Sequence, residues 1–414
     1  MIQSSWEDNH TRIKIIGVGG AGTNAVDRLK LDNLDSVNLA VVNTDGQSIA
    51  MSPISEKLLL GRGVTRGLST GGEADVGRKA AEEDRALLGK MVEGVDLLFI
   101  LAGLGGGTGS GAAPVMAEVA GKAGALVIAF VTMPFSREGA RRNKQAEDAL
   151  VALRKNCHAV ISLPNDVLLQ QIDEDATLME AFGVADEWIN QGVRSIWSMI
   201  FQTGMINVDF ATLKQAFNER GGKTLFGTGY AKGEDYVARA LQELELCPLL
   251  HLPENKYIKR PDSLIVNIIG GPDLTMAKVN QVMDYVSEQF GNRENLVLGA
   301  TIDGSMHQSL RVTVIGTTAL NSKGFSKVPS ATSAANQQLE EKGEPAVDRS
   351  EALSSRFGDK TPKSGKKSKI PQEEFDFDTE ALSRGVFEKT AENLYDGEDL
   401  DVPTYLRRGI RIQL

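Results

Sequence analysis

The sequence predicts an α/β protein: a parallel, Rossmann-like sheet covered by helices, joined by one long helix to a smaller α+β domain with a solvated tail behind it. Three observations carry this. Apolar runs near residues 12–17, 38–43, 96–101, 125–131 and 158–163 alternate with helical patterns, as strands buried on both faces do. Two of those runs break into glycines and then open a helix. Residues 177–201 place Leu178, Phe182, Ala185, Ile189, Val193, Ile196 and Ile200 at helical spacing, which makes one long helix with a buried stripe.

Taken in order, the first strand runs into Gly17, Gly19, Gly20, Ala21 and Gly22, and residues 24–30 continue as a helix. Gly17, Gly19 and Gly22 fit the dinucleotide fingerprint, and Asp45 follows the next strand about where a ribose-binding acid would stand. Alone, that match favours an NAD-dependent oxidoreductase. The third run is followed by Gly103, Gly105, Gly106, Gly107, Thr108, Gly109 and Gly111 before a helix-like segment over 112–120. A strand that breaks into glycines and opens a helix presents backbone N–H groups to an anion, and glycine lets that backbone come close. No lysine follows the last glycine, which excludes the common Gly-x-x-x-x-Gly-Lys-Ser/Thr loop. Two such loops on neighbouring strands fit a mononucleotide triphosphate better than a dinucleotide.

The second half has a different texture. Helical patterns over 237–246 and 276–290 lie among strand-like runs at 263–269, 295–302 and 310–316. From about 318 to 397 the chain is rich in Ser, Lys, Glu, Pro and Gln, a composition that buries too little apolar surface to offset its ordering entropy. Residues 398–414 differ again, with aliphatics, Tyr405 and three arginines on the end of that tether. A net charge of −10 argues against nucleic-acid binding. The two cysteines, Cys157 and Cys247, sit in or beside apolar runs and read as buried and reduced, which is compatible with a cytoplasmic protein. No signal peptide and no apolar run long enough to span a membrane is expected.

These motifs together resemble the FtsZ family of bacterial tubulin-like cell-division GTPases, over about residues 12–320 and again in the last fifteen. The 103–111 loop is similar to the tubulin-family signature that cradles GTP phosphates. Residues 17–26 resemble the family's first loop, and Asn43, Thr44 and Asp45 its next phosphate-side turn. Pro134 to Gly139 with Arg142 resemble the ribose-side loop, Pro164, Asn165 and Asp166 another turn, and residues 207–211 the loop that reaches the next subunit's nucleotide.

The resemblance implies GTP with Mg²⁺, bound by Gly19, Gly20, Ala21, Gly22, Asn24, Asp45, Gly71, Gly72, Gly103, Gly105, Gly106, Gly107, Thr108, Gly109, Glu138, Arg142, Asn165, Phe182, Asp186 and Glu187. It implies hydrolysis completed in trans by Asn207 and Asp209, head-to-tail filaments at the division site, and docking of 398–414 on membrane-tethering division proteins. The implied domains are a flexible N-terminus (1–11), GTP-binding domain (12–176), central helix (177–203), catalytic loop and following helix (204–221), C-terminal α+β domain (222–317), disordered linker (318–397) and partner-binding peptide (398–414).

The site departs from the family pattern in three places. Thr212 replaces the second acid of the catalytic loop, and threonine cannot accept a proton at neutral pH. This leaves a second reading, a filament protein that binds GTP and hydrolyses it weakly. Asp209 also suits a helix N-cap before residues 210–217. The family's Asn-Asp pair is Asp186 and Glu187 here, and Ser69 and Thr70 replace small residues before Gly71 and Gly72.

Overall fold

The computed structural model describes residues 11–31, 37–168, 177–201, 204–217, 220–252, 261–291 and 295–318, with two short strands at 394–395 and 398–399. The N-terminal segment, most of the linker and the terminal peptide expected from the sequence lie outside the described residues.

Elements run β1 (Ile13–Val18), α1 (Gly19–Leu31), β2 (Asn38–Asn43), α2 (Gly46–Met51), β3 (Glu56–Leu59), α3 (Arg62–Thr65), α4 (Ala74–Glu83), α5 (Arg85–Met91), β4 (Leu97–Gly103), α6 (Gly107–Lys122), β5 (Leu126–Met133), α7 (Ala140–Asn156), β6 (Ala159–Pro164) and α8 (Asn165–Leu168). Then come α9 (Leu178–Phe201), α10 (Phe210–Ala216), β7 (Lys223–Lys232), α11 (Tyr236–Glu245), β8 (Ser263–Gly270), α12 (Met276–Phe290), β9 (Leu296–Ile302) and β10 (Ser309–Thr318).

The first six strands form one parallel sheet in the order β3-β2-β1-β4-β5-β6. Successive residues of a strand point to opposite faces, and both faces are buried here. Ile13, Ile15, Phe99 and Phe130 pack on one side, while Ile16, Val18, Ile100 and Val131 pack on the other under α4, α6 and α7. Two sequence boundaries move. Of the glycines expected to be loops after the first and third apolar runs, Gly19, Gly20 and Gly22 open α1 and Gly107, Gly109 and Gly111 open α6, while Gly17 and Gly103 lie in β1 and β4. The strand β3 was not expected from the sequence, since its four residues are partly exposed at the sheet edge.

The helix α9 starts on a capping box, with Thr177 Oγ1 accepting from Glu180 N at 3.3 Å and Glu180 Oε2 from Thr177 N at 2.6 Å. Its buried stripe of Trp188, Ile189, Val193 and Ile196 is shared. The same apolar cluster runs from Phe99 and Phe130 in the first sheet through α9 to Phe226, Ile265 and Ile315 in the second. The second sheet is mixed, β7-β10-β8-β9, with β10 antiparallel to its neighbours and β8 parallel to β9. A separate cluster with α11 and α12 covers its other face. Residues 331–414 form a unit of their own. Within it β11 (Leu394–Tyr395) pairs antiparallel with β12 (Glu398–Asp399).

Candidate nucleotide site

In an open parallel sheet, ligands bind beyond the carboxyl ends of the strands. A cleft of about 540 Å³ opens there, and β1, β2, β4, β5 and β6 all end at its wall. Its floor is the paired starts of α1 and α6. Their packing requires bare backbone: a Cβ on Gly22 would sit 2.1 Å from Leu101 O, and one on Gly109 2.2 Å from Gly103 O. Neither helix has an acidic residue in its first turn, and Gly106 caps α6 without a side chain. The N–H groups of both first turns thus face a ligand anion uncompensated. Thr44 and Thr108 join their hydroxyls at 2.7 Å, fastening the end of β2 to the first turn of α6.

The structure places the sequence-predicted residues differently with respect to this cleft. Gly20, Ala21, Asn24, Asp45, Gly72, Gly103, Gly106, Gly107, Thr108, Gly109, Glu138, Arg142, Asn165 and Asp186 line the cleft. Gly19 and Gly22 do not; they lie beneath it and set how closely the chain packs, with Gly19 at φ 75°. Gly71 and Gly105 line a smaller adjoining cavity. Phe182 lies on α9, and its side chain is outside the described residues.

Asp45 spends part of its carboxylate on the fold, since its Oδ1 accepts from Gln47 N at 2.9 Å as the cap of α2. Glu138 accepts from Phe135 N at 2.9 Å and pairs with Arg142 at 2.7 Å on the rim. Asn165 is buried and lines the cleft, and among the described residues its Oδ1 has no hydrogen-bond partner.

Asp186 and Glu187 part company. Asp186 lines the cleft and pairs with Arg28 on α1 at 3.0 Å. Burial pushes its pKa up to about 6 against the pull of Arg28. Adjacent helical residues point about 100° apart, and Glu187 is exposed, outside the cleft, accepting from Gln191 at 3.1 Å. Glu187, the carboxylate expected from the sequence to meet guanine, is thus outside the cleft, and of the pair only Asp186 lines it.

Asn207 and Asp209 are not in the cleft either. Ile206 pairs with Ala300 on β9, which fixes their loop to the second sheet. Asn207 Oδ1 accepts from Gly204 N at 2.7 Å. Asp209 caps α10, accepting from Thr212 N at 2.6 Å, and that bond holds its carboxyl below the usual range. Both side chains are exposed. Ser48, Thr132 and Ala185 also line the cleft, and sequence reasoning did not single them out. Thr132 lies near the end of its strand; strand ends in a parallel sheet are the signal that would have found it.

Residues 12–173 match the family model described as Tubulin/FtsZ family, GTPase domain, and residues 222–319 match FtsZ family, C-terminal domain. The FtsZ dimer of M. jannaschii, solved empty, is 33% identical over 75% of this chain and 89% of its own, with a TM-score of 0.69. The GTPγS-bound protofilament of CetZ2 from Haloferax volcanii is 23% identical over 74% and 93%, at a TM-score of 0.62. The GDP-bound CetZ1 monomer of the same organism is 19% identical over 76% and 96%, at 0.63, so for both the likeness is one of fold.

Proposed function

Because the chain belongs to the tubulin/FtsZ family of GTPases, we propose that GTP binds in this cleft, drives assembly into head-to-tail filaments, and is hydrolysed where one subunit meets the next. The filaments would form the cytokinetic ring, in the cytoplasm at the division site. One observation supports the reading: the residues predicted from the sequence lie in two separate places. Of the three carboxylates lining the cleft, Asp45 caps a helix, Glu138 pairs with Arg142 and Asp186 pairs with Arg28. Asp209 stands instead on a loop fastened to the other sheet. A second copy, placed with that loop over the cleft, supplies the missing acid, and a head-to-tail interface of this kind propagates into a filament when its rotation does not close a ring. That the related M. jannaschii FtsZ was solved as a dimer supports self-association.

The roles follow from chemistry. The first-turn N–H groups of α1 and α6 receive phosphate oxygens, where charge develops as the terminal phosphoryl group leaves. Glu138, Arg142 and the unpartnered Asn165 face the ribose. Asp186, ionised, accepts the N1–H and N2–H₂ donors of guanine beside Asn24, a pattern adenine does not offer. Among the described residues no three acidic, His or Cys groups stand together to hold a metal ion. Mg²⁺ would accompany the nucleotide, held by phosphate oxygens and water, and would supply charge neutralisation at the transferred group. Asp209 orients the attacking water and takes its proton. Thr212 adds no second acid, and that observation favours slow turnover as a second reading. The terminal peptide 398–414 would dock on a membrane-tethering partner; among the described residues no helix is long and apolar enough to cross a membrane.

Light scattering and sedimentation with parallel phosphate release test this. GTP should give sedimenting polymer and phosphate in step, while GDP and ATP give neither. A monomer in all three nucleotides at micromolar protein would overturn it.

A further inference from the structure

Behind the cleft, one side chain holds both phosphate-side segments at once. Gln145 on α7 donates from Nε2 to Gly72 O at 3.1 Å and to Gly105 O at 3.0 Å, while its Oε1 accepts from Ala74 N at 3.2 Å. Only a primary amide carries two donors and an acceptor on one short head. The segments it joins are the 69–74 turn and the 103–109 loop, which are far apart in sequence. The turn also lies against the first turn of α6, since a Cβ on Gly107 would sit 2.0 Å from Thr70 Oγ1.

Both segments need such a tie. Gly71, Gly72 and Gly105 stand at φ 61°, 85° and 89°, in the left-handed region that glycine enters without steric cost and leaves as easily. Glycine-rich backbone of this kind carries no side chain to fix it, yet Gly72 and Gly106 form part of the cleft wall. An ion pair between Arg141 and Glu73 adds a second tether from α7 to the turn, but at an exposed position where it contributes little. Gly105 N also donates to Ser110 Oγ at 2.8 Å, a bond internal to its own loop. The Gln145 amide is the group that spans the two.

We infer that Gln145 is a positioning residue for GTP turnover, cross-linking the two glycine segments so that the phosphate-facing backbone is held in place before the nucleotide arrives. The inference rests on the reading of the cleft as the GTP site. Preorganised support of this sort acts on rate because small displacements of a binding wall are costly, up to about 10²-fold for an ångström.

Two variants of the full chain separate the hydrogen bonds from packing. Gln145→Met keeps length and bulk but makes none of the three bonds. Gln145→Glu keeps the acceptor for Ala74 N and loses both donors, setting a carboxylate against two carbonyl oxygens. Both should release phosphate about tenfold more slowly at saturating GTP, with a cooperative unfolding transition kept and its midpoint only modestly lowered. Hydrogen exchange should quicken at the 71–74 and 105–108 amides and not in α12. Wild-type turnover and exchange in either variant would overturn the inference. So would a loss of turnover matched by general unfolding without selective exchange. If the wild-type chain binds no GTP, the reading of the cleft fails instead, and the exchange measurement still judges the cross-link.

Discussion

Replacing Asp186 with asparagine separates what this carboxylate does to the fold from what it does for the ligand. Its side chain is only 13% exposed, and burial lifts its pKa from 3.8 to about 6 although Arg28 stands 3.0 Å away. At about 1.4 kcal/mol per pH unit, holding the ionised form in the nucleotide-free fold costs up to about 3 kcal/mol at neutral pH. The sign follows from the direction of the shift. A raised pKa means the folded state favours the protonated acid, so this contribution to stability is full below pH 3.8 and lost as pH rises through about 6. Asparagine carries no such dependence. Urea unfolding without nucleotide should therefore show the wild type falling behind Asp186→Asn across that window, by up to about 3 kcal/mol at pH 7. GTP reverses the order. Losing a charge-assisted bond pair to guanine should weaken GTP binding by about 10–100-fold in the variant, and wild-type affinity should fall as pH drops through about 6. Parallel stability curves for the two proteins would refute the burial argument. Unchanged GTP affinity and GTP-over-ATP preference in the variant would remove Asp186 from base recognition.

Two further outcomes bear on the halves of the site. Asp209→Ala should suppress phosphate release by about 10²–10⁴-fold while a fluorescent-GTP titration stays within about twofold, and Thr212→Asp should speed release modestly; equal turnover in all three proteins would exclude this loop from the chemistry. Gly22→Ala drives a methyl group to within 2.1 Å of Leu101 O, so it should cost more than about 2 kcal/mol in chemical unfolding and abolish GTP binding. A Gly22→Ala protein as stable as wild type would show that α1 has room to move away from β4.

The sheet was legible because its strands are continuous apolar runs, and α9 because its stripe repeats without interruption. The losses have physical causes. In β3 the sequence Glu-Lys-Leu-Leu has neither alternation nor a buried run, because an edge strand is half wet. In β7 the glycines disguise a strand: a Cβ on Gly229 would lie 2.1 Å from Ala240 O, so α11 packs straight on the backbone where a strand signal would otherwise stand. At the site, the glycine loops announced themselves through chain chemistry. The choice between Asp186 and Glu187 did not, since adjacent positions of one helix differ only in facing. Nor did Ser48 or Ala185, whose place at the cleft is a matter of tertiary position alone.

The bare packing of α1 and α6 onto β4 also sets which parts of this pocket can evolve. Where the two helices meet β4, at Gly22 and Gly109, there is no space to introduce a side chain. Point substitution at these two positions displaces the chain and adds no new group to the pocket. The opposite end is written in side chains, Asn24 and Asp186 among them. On the proposed reading, a lineage carrying this fold can therefore drift at the end lined by side chains, while the close approach of α1 and α6 to β4 stays fixed by the path of the chain.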